Sequence, residues 1–195
     1  MFLHNDPWPW LSQWMAEAAE TEPRVPDAMQ LATVGADGNP TVRTVLLKAF
    51  GPTDGLVFYT NLGSRKALEL GEVPRAAACL HWKGLERQVL ARGPVQSVAD
   101  AQADAYWATR PRGSQLGAWA SRQSQTVPSE VALTDALAEV TTRFEGRDVP
   151  RPEFWGGFRI LPDELEFWQG RPDRLHQRAV FTRNGEGWTR SLRYP

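Results

Sequence analysis

Two adjacent cations, Arg65 and Lys66, stand where the β-rich run Val57-Phe58-Tyr59-Thr60 gives way, through Asn61-Leu62-Gly63-Ser64, to the helix-forming Ala67-Leu68-Glu69-Leu70. A helix start is already positive because its first N–H groups lack partners, so two cations there are either solvated or offset by an anion. Free N–H groups beside an Arg and a Lys are what a phosphate dianion would use. Three further segments gather similar groups. Arg43-Thr44-Val45-Leu46-Leu47-Lys48 reads as a strand with a cation near each end. The odd spacing sends Arg43 and Lys48 to opposite faces of a regular strand, so they are edge charges, or touch different parts of one ligand, or flank a bulge. Tyr106 and Arg110 share a helix face, and Ser114 follows a Pro-containing turn. A phenol, a guanidinium and a hydroxyl in that order form either a second oxyanion cradle or ordinary surface. Finally, Trp168 leads through a Gly/Pro turn into Arg174, Leu175, His176 and Arg178. If that segment is extended, Arg174, His176 and Arg178 share one face, where they repel unless an anion or an electron-rich ring lies against them.

Other chemistries fail on inventory. The three histidines (His4, His81, His176) have no metal-ligand spacing, and Cys79 has no Cys partner, which argues against zinc. There is no G-x-S-x-G elbow and no nucleophile paired with a base. Redox chemistry would therefore have to come from a bound cofactor.

The elements that must position these groups follow from periodicity. Trp10, Leu11, Trp14, Met15 and Ala18 recur at helical spacing, predicting an amphipathic helix over 8–20, ended by the Pro-rich stretch 22–26. Strands are expected at 28–34, 41–50, 56–60, 75–82 and 86–97, with hairpin turns at 35–40 and 51–55. A short helix fits 64–71, with Ser64 or Asn61 available as its cap. Ser97 and Asp100 resemble a capping box opening a helix over 99–110. Helices near 114–121 and 129–144 follow, and the tail returns to strands at 158–161, 165–169, 179–183 and 188–192. Hairpin-joined strands with helices inserted late argue for an α+β chain, mainly antiparallel β, curled into a barrel-like sheet. With no βαβ alternation, no G-x-G-x-x-G and no Walker loop, Rossmann and P-loop folds are disfavoured.

Composition narrows the partners. The 195 residues are 42% hydrophobic and 23% charged, with a formal net charge of −1, which fits one soluble globular domain over 1–195 and not a nonspecific nucleic-acid binder. Only Lys48, Lys66 and Lys83 are lysines, so 19 of the 22 basic residues are Arg, the better bidentate partner for phosphate. A GC-rich genome would raise Arg everywhere, so position and not number must carry a functional claim. A lone Cys, no signal-peptide pattern at the first residues and no membrane-length apolar run give the expectation of a cytoplasmic protein that engages no membrane.

Taken together, "RTVLLK", "VFYTNLGSRKA", "LERQV", "RPRGSQLGAWASRQS", "FWGGFRILPDELEFWQG" and "RLHQR" resemble, in order, the motifs of the pyridoxamine 5′-phosphate oxidase family. The resemblance runs from about Ala28 to near the C-terminus. It implies an FMN-binding split β-barrel with peripheral helices and a homodimer with FMN at the subunit interface. By the same resemblance Arg43, Thr44, Val45, Leu46, Leu47, Lys48, Tyr59 and Thr60 line the flavin. Arg65 and Lys66 hold its phosphate, Gln88 lies near the ring, Gln123 and Ser124 come from the dimer partner, and Trp168 and Arg178 add contacts. Lys48, Tyr106, Arg110 and Ser114 form the cradle for the substrate phosphate, while Arg174, Leu175 and His176 lie over the substrate ring, with Arg174 and His176 as catalytic residues. The implied reaction is oxidation of pyridoxamine or pyridoxine 5′-phosphate to pyridoxal 5′-phosphate, with O2 as acceptor and H2O2 as product. Two departures from the family pattern stand out. The chain begins close to its first helix, without the basic arm many members carry, and it ends Arg190-Ser-Leu-Arg-Tyr-Pro195 with Arg and Leu exchanged. A split-barrel oxidase of another small aromatic ring, as in phenazine pathways, and a non-catalytic FMN-binding module are the alternatives.

Overall fold

The computed structural model describes residues 5–22 and 24–195. His4, the N-terminal residues 1–4 of the signal-peptide reading and Pro23 of the helix-ending stretch lie outside them. The described residues form ten strands and five α-helices. The first helix, α1 (Trp8–Thr21), buries Leu11, Trp14 and Ala18 of the expected stripe together with Trp8, while Trp10 and Met15 are only partly buried against the same core. Trp14 sits edge-on to Phe167 at 5.2 Å and to Trp82 at 6.5 Å, so α1 plugs the inside of the sheet.

The chain then builds β1 (Ala28–Val34) and β2 (Pro40–Leu46), an antiparallel hairpin with Met29 opposite Val45. The single strand expected over 41–50 is two. It breaks at Leu47 and Lys48, where Leu47 N–H donates to Asp27 O at 2.9 Å and Lys48 N–H to Val57 O at 2.8 Å. The chain resumes as the short β3 (Ala49–Gly51), which pairs with β4 (Gly55–Asn61). After α2 (Arg65–Glu72) come β5 (Arg75–Trp82) and β6 (Arg87–Ser97). Helices α3 (Asp100–Thr109), α4 (Arg112–Ala120) and α5 (Glu130–Arg143) follow. The chain closes with β7 (Trp155–Ile160), β8 (Glu164–Gln169), β9 (Gln177–Asn184) and β10 (Gly187–Arg193).

The strands join one curled sheet in the order β10-β9-β8-β6-β5-β1-β2, with β3, β4 and β7 branching from it. Strand β6 makes the branch: Arg87–Arg92 pair with β8, and Val95–Ser97 pair with β7. Gly93 permits the switch, because a Cβ there would sit 2.2 Å from Leu161 O at the β7–β8 corner. One register row, Val45–Met29–Leu80–Val89–Phe167–Ala179, is buried across the six strands from β2 to β9 and defines the inner face there. A second cluster, Ala103, Trp107, Leu116, Phe144, Val149 and Trp155, packs the late helices against β7.

Two capping expectations are corrected. Ser64 occupies the α2 N-cap position without a side-chain cap bond, because its Oγ is taken by Lys66. Asn61 instead accepts from Gly63 N–H, a local turn. The Ser97/Asp100 box is not made, since α3 starts after Ala99 and Asp100 pairs with Arg151 at 2.8 Å. Ser129 does cap α5, accepting from Ala132 N–H at 3.1 Å.

Candidate functional site

A cleft of about 1180 Å³ lies between the β2 rim, the β4–α2 junction and the α3–α4 corner. It gathers Arg43, Thr44, Val45, Leu46, Lys48, Tyr59, Thr60, Arg65, Lys66, Tyr106, Arg110, Ser114, Gln123 and Ser124 from the sequence set.

At its α2 end Lys66 is only 6% exposed. Its ammonium donates to Thr60 Oγ1 at 3.0 Å, Ser64 Oγ at 3.2 Å and Gln123 Oε1 at 2.9 Å, all neutral. Burial, with Arg43 nearby and Glu69 opposing, pulls its pKa down to about 8. A buried cation held only by dipoles has electrostatic room for an anion. Arg65 is different, since its Nε donates to Glu69 Oε1 at 2.8 Å, one turn along the helix. The other oxygen, Glu69 Oε2, accepts from the hydroxyls of Thr33 (2.5 Å) and Thr41 (2.6 Å) and from Arg43 Nη2 (3.2 Å). Burial alone would raise the Glu69 carboxyl, but these donors together hold it at about 2. The repulsion of two cations at a helix start is thus resolved by division. One turns inward onto neutral oxygens and the other leans on a carboxylate. Glu69, Thr33 and Thr41 were missed in the sequence, although the Arg65–Glu69 spacing of four was a visible signal.

The β2 rim carries Arg43 to Leu46, but Leu47 is not part of the cleft: it is 4% exposed and packed in the core. Lys48 reaches the same cleft as Arg43 because the chain leaves the strand after Leu46, which removes the opposite-face problem. Its ammonium pairs with Asp27 at 2.6 Å.

At the far end Arg110 lies over the rings of Trp107 (5.1 Å) and Trp155 (4.8 Å) and donates to Ser114 O at 3.0 Å. No carboxylate pairs with it among the described residues, and burial lowers its pKa. Beneath it Tyr59, Tyr106 and Trp155 form a parallel stack, with centroids 4.1 Å apart between the tyrosines and 5.4 Å between Tyr59 and Trp155. Burial and the neighbouring Tyr106 raise the Tyr59 phenol. Trp155 and Trp107 were not singled out from the sequence. Their function is visible only once β7 and α3 meet.

The remaining residues do not reach this cleft. Gln88, Trp168 and Arg178 are register partners on β6, β8 and β9. They alternate with the buried Val89, Phe167 and Ala179, so they occupy the outer face. That row is three to five strand spacings from β2, about 14 to 24 Å along the sheet. The expectation of one extended face for Arg174, His176 and Arg178 is corrected. Residues Pro172–Arg174 form a 3-10 turn with Asp173 and Arg174 at φ of 57° and 59°, and the strand begins only at Gln177. His176 lies against the Trp168 ring, centroids 4.7 Å apart, and Arg174 and Leu175 are exposed. Arg178 grips Glu166 with two bonds of 2.7 and 2.9 Å, and Arg193 from the exchanged tail shares that carboxylate at 2.9 Å. Gln123 and Ser124, by contrast, reach the cleft within one chain, which corrects their expected arrival from a partner: the turn after α4 returns them to Thr60 and Lys66.

Among the described residues no cluster of metal-ligating side chains occurs, and no helix is long and apolar enough to cross a membrane.

Residues 15–144 match the family described as pyridoxamine 5′-phosphate oxidase, and residues 155–195 match the pyridoxine 5′-phosphate oxidase C-terminal dimerisation region. A pyridoxine/pyridoxamine 5′-phosphate oxidase of Brucella canis is 53% identical over 192 residues, covering 97% of this chain and 94% of its own. The corresponding protein of Brucella suis biovar 1 is also 53% identical, with 97% and 92% covered. Among solved structures, PhzG from Burkholderia lata 383, in complex with tetrahydrophenazine-1-carboxylic acid, superposes with a TM-score of 0.92 at 30% identity, covering 100% of this chain and 95% of its own. A pyridoxamine 5′-phosphate oxidase-related, FMN-binding protein of Nostoc punctiforme superposes with a TM-score of 0.75 at 18% identity, covering 96% and 97%.

Proposed function

Because the chain belongs to the pyridoxamine 5′-phosphate oxidase family, we infer that its cleft holds FMN and that it oxidises pyridoxamine or pyridoxine 5′-phosphate to pyridoxal 5′-phosphate. The observation that carries this reading is the pair of anion cradles at the two ends of one cleft. Lys66 and Arg65 form one, Arg110 and Ser114 with Lys48 the other, and an aromatic stack lies beside the second. The residues fit FMN at the first end, where a buried lysine bonded only to neutral oxygens stands beside an arginine whose terminal nitrogens have no partner among the described residues.

When bound, FMN supplies the hydride acceptor for oxidation at C4′ of the substrate and is returned to its oxidised form by O2, which leaves as H2O2. The chain's own residues do the positioning. Lys66 and Arg65 anchor one phosphate, while Arg110, held against the rings of Trp107 and Trp155, presents its guanidinium to the other. Substrates without a phosphate lose the second anchor and with it their orientation.

The dimerisation region makes the protein a homodimer. We place the cleft at the dimer interface, in a single domain spanning 1–195. The placement of Gln88, Trp168, Arg174, His176 and Arg178 supports this, because none of them lines the cleft of its own chain. The outer face of the sheet exposes Val42 (70%) and Leu46 (38%) on β2, an apolar surface suited to burial against a second copy. In the assembled site, Arg174 and His176 from the partner close over the substrate ring and hold its C4′ in place for the transfer.

The test is the visible spectrum of the purified protein and its peroxide yield with pyridoxine and pyridoxamine 5′-phosphates. A protein that cannot be reconstituted with FMN defeats the reading, and a yellow protein inert toward both vitamers redirects it to another aromatic substrate. The shared site has its own test. Mixing inactive Lys66→Ala and Arg174→Ala chains restores about a quarter of wild-type activity if each site draws on both copies, since half the dimers are hybrids with one intact site. No recovery places Arg174 and Lys66 in the same chain's site.

A further inference from the structure

We propose that Glu69 is a positioning residue for the phosphate end of the cleft. Its buried carboxylate aims the Arg65 fork at the ligand and thereby sets the preference of the site for a phosphorylated over an unphosphorylated flavin. This rests on the reading that the cleft holds FMN. The two oxygens of Glu69 are divided between two tasks. Oε2 is saturated by Thr33, Thr41 and Arg43, which ties the carboxylate to β1 and β2. Oε1 is left for a single donor, Arg65 Nε at 2.8 Å.

The two arginines on this carboxylate end in opposite states. Arg43 is consumed by the protein, with Nη1 on Leu31 O and Thr33 Oγ1 and Nη2 on Thr41 Oγ1 and Glu69. Arg65 is held through Nε alone, and both of its terminal nitrogens are without a protein partner among the described residues while its side chain lines the cleft, 60% exposed. An unanchored arginine at an exposed helix start would lose its rotamer freedom when the ligand binds. Anchoring Nε removes much of that cost in advance. The carboxylate also sets the local charge. Arg43, Arg65 and Lys66 against Glu69 leave a net of two positive charges, which a phosphate dianion neutralises. Without Glu69 three cations would crowd a helix N-terminus.

The experiment titrates FMN and riboflavin, by quenching of flavin fluorescence, into the full-length apo-dimer of wild type, Glu69→Gln, Arg65→Lys and the double variant. Glu69→Gln is expected to weaken FMN about 10- to 100-fold, the loss of a charge-assisted contact, and to change riboflavin by less than about twofold. Arg65→Lys keeps the charge without the fork and is expected to lose a similar factor for FMN alone. The double variant should lose little more than either single one, because Glu69 acts through Arg65. If Glu69→Gln does not fold, Arg65→Lys decides: retention of full FMN preference overturns the proposal. Equal losses for both flavins would make Glu69 a scaffold residue and overturn it, as would fully multiplicative losses in the double variant. A selective wild type with an equally selective Glu69→Gln variant overturns the role of Glu69 alone, whereas a wild type that binds FMN no better than riboflavin overturns the functional reading as well.

Discussion

Replacing Lys66 with Met tests the unusual state of that lysine. The ammonium is buried, bonded to three neutral oxygens, and its pKa falls from 10.5 to about 8. At about 1.4 kcal/mol per unit, keeping it charged in the folded chain costs about 3 kcal/mol at neutral pH. Met has similar length and no charge. It forfeits three hydrogen bonds, but Thr60 already bonds Gln123 at 3.0 Å, so those two groups keep a partner, and Ser64 Oγ alone is left to find one at the α2 N-cap position it occupies. The expected gain for the ligand-free protein is about 2 kcal/mol, or roughly 4–8 °C in Tm for a chain of this size. The pH dependence has a definite sign. The folded pKa lies below the unfolded one, so the unfolded chain binds more protons between about 8 and 10.5, and wild-type stability rises across that window. The melting-temperature gap between Lys66→Met and wild type should therefore be full below pH 8 and shrink toward pH 10. FMN binding should move the opposite way, strongly weakened in the variant at pH 7. Thermal melts of the apo-protein from pH 7 to 10, with FMN titrations at pH 7, make the measurement. A variant that melts at or below wild type at pH 7, or a gap that does not narrow with pH, refutes the argument.

Three other outcomes are expected. Gly157→Ala would place a Cβ 2.6 Å from Tyr59 Cδ1 and 3.0 Å from Phe58 O, so denaturant melts should show a loss of about 1–3 kcal/mol, with the KM for substrate rising as Tyr59 leaves its stack. Trp155→Leu removes one face under Arg110 and the end of the Tyr59–Tyr106 stack, and should raise KM for the phosphorylated substrate about tenfold while FMN affinity, read by fluorescence, holds. Arg174→Ala should lower kcat at least about 100-fold and leave FMN affinity within about twofold. Equal losses in both would move Arg174 to the cofactor.

Local patterns carried much of this protein. The period of Leu11, Trp14 and Ala18 made α1 and most of its buried stripe readable, and alternation placed most strands within two residues. Both follow from side-chain direction along a helix or strand, a property of the chain itself. The Arg65–Lys66 pair, the Tyr106–Arg110 spacing and the Arg43 strand were likewise visible as cations awaiting an anion. Where prediction failed, the deciding atoms came from remote segments. The break at Leu47–Lys48 depends on Asp27 and Val57, which capture the two backbone N–H groups.

Sequence alone thus determined the residue types, the hairpin succession and the expectation of two phosphate-sized sites. Only the tertiary structure decided which cations are free. Arg43 is absorbed by Leu31, Thr33, Thr41 and Glu69, while Lys66 meets only neutral oxygens and Arg110 lies on two indoles. It also divided the expected residues between a cleft and an outer face, because the β2-to-β8 register fixes how far apart they stand. The physical reason is one of range. Periodicity is written in neighbours three or four residues apart, whereas the state of a charge depends on whatever the fold brings within a few ångströms of it.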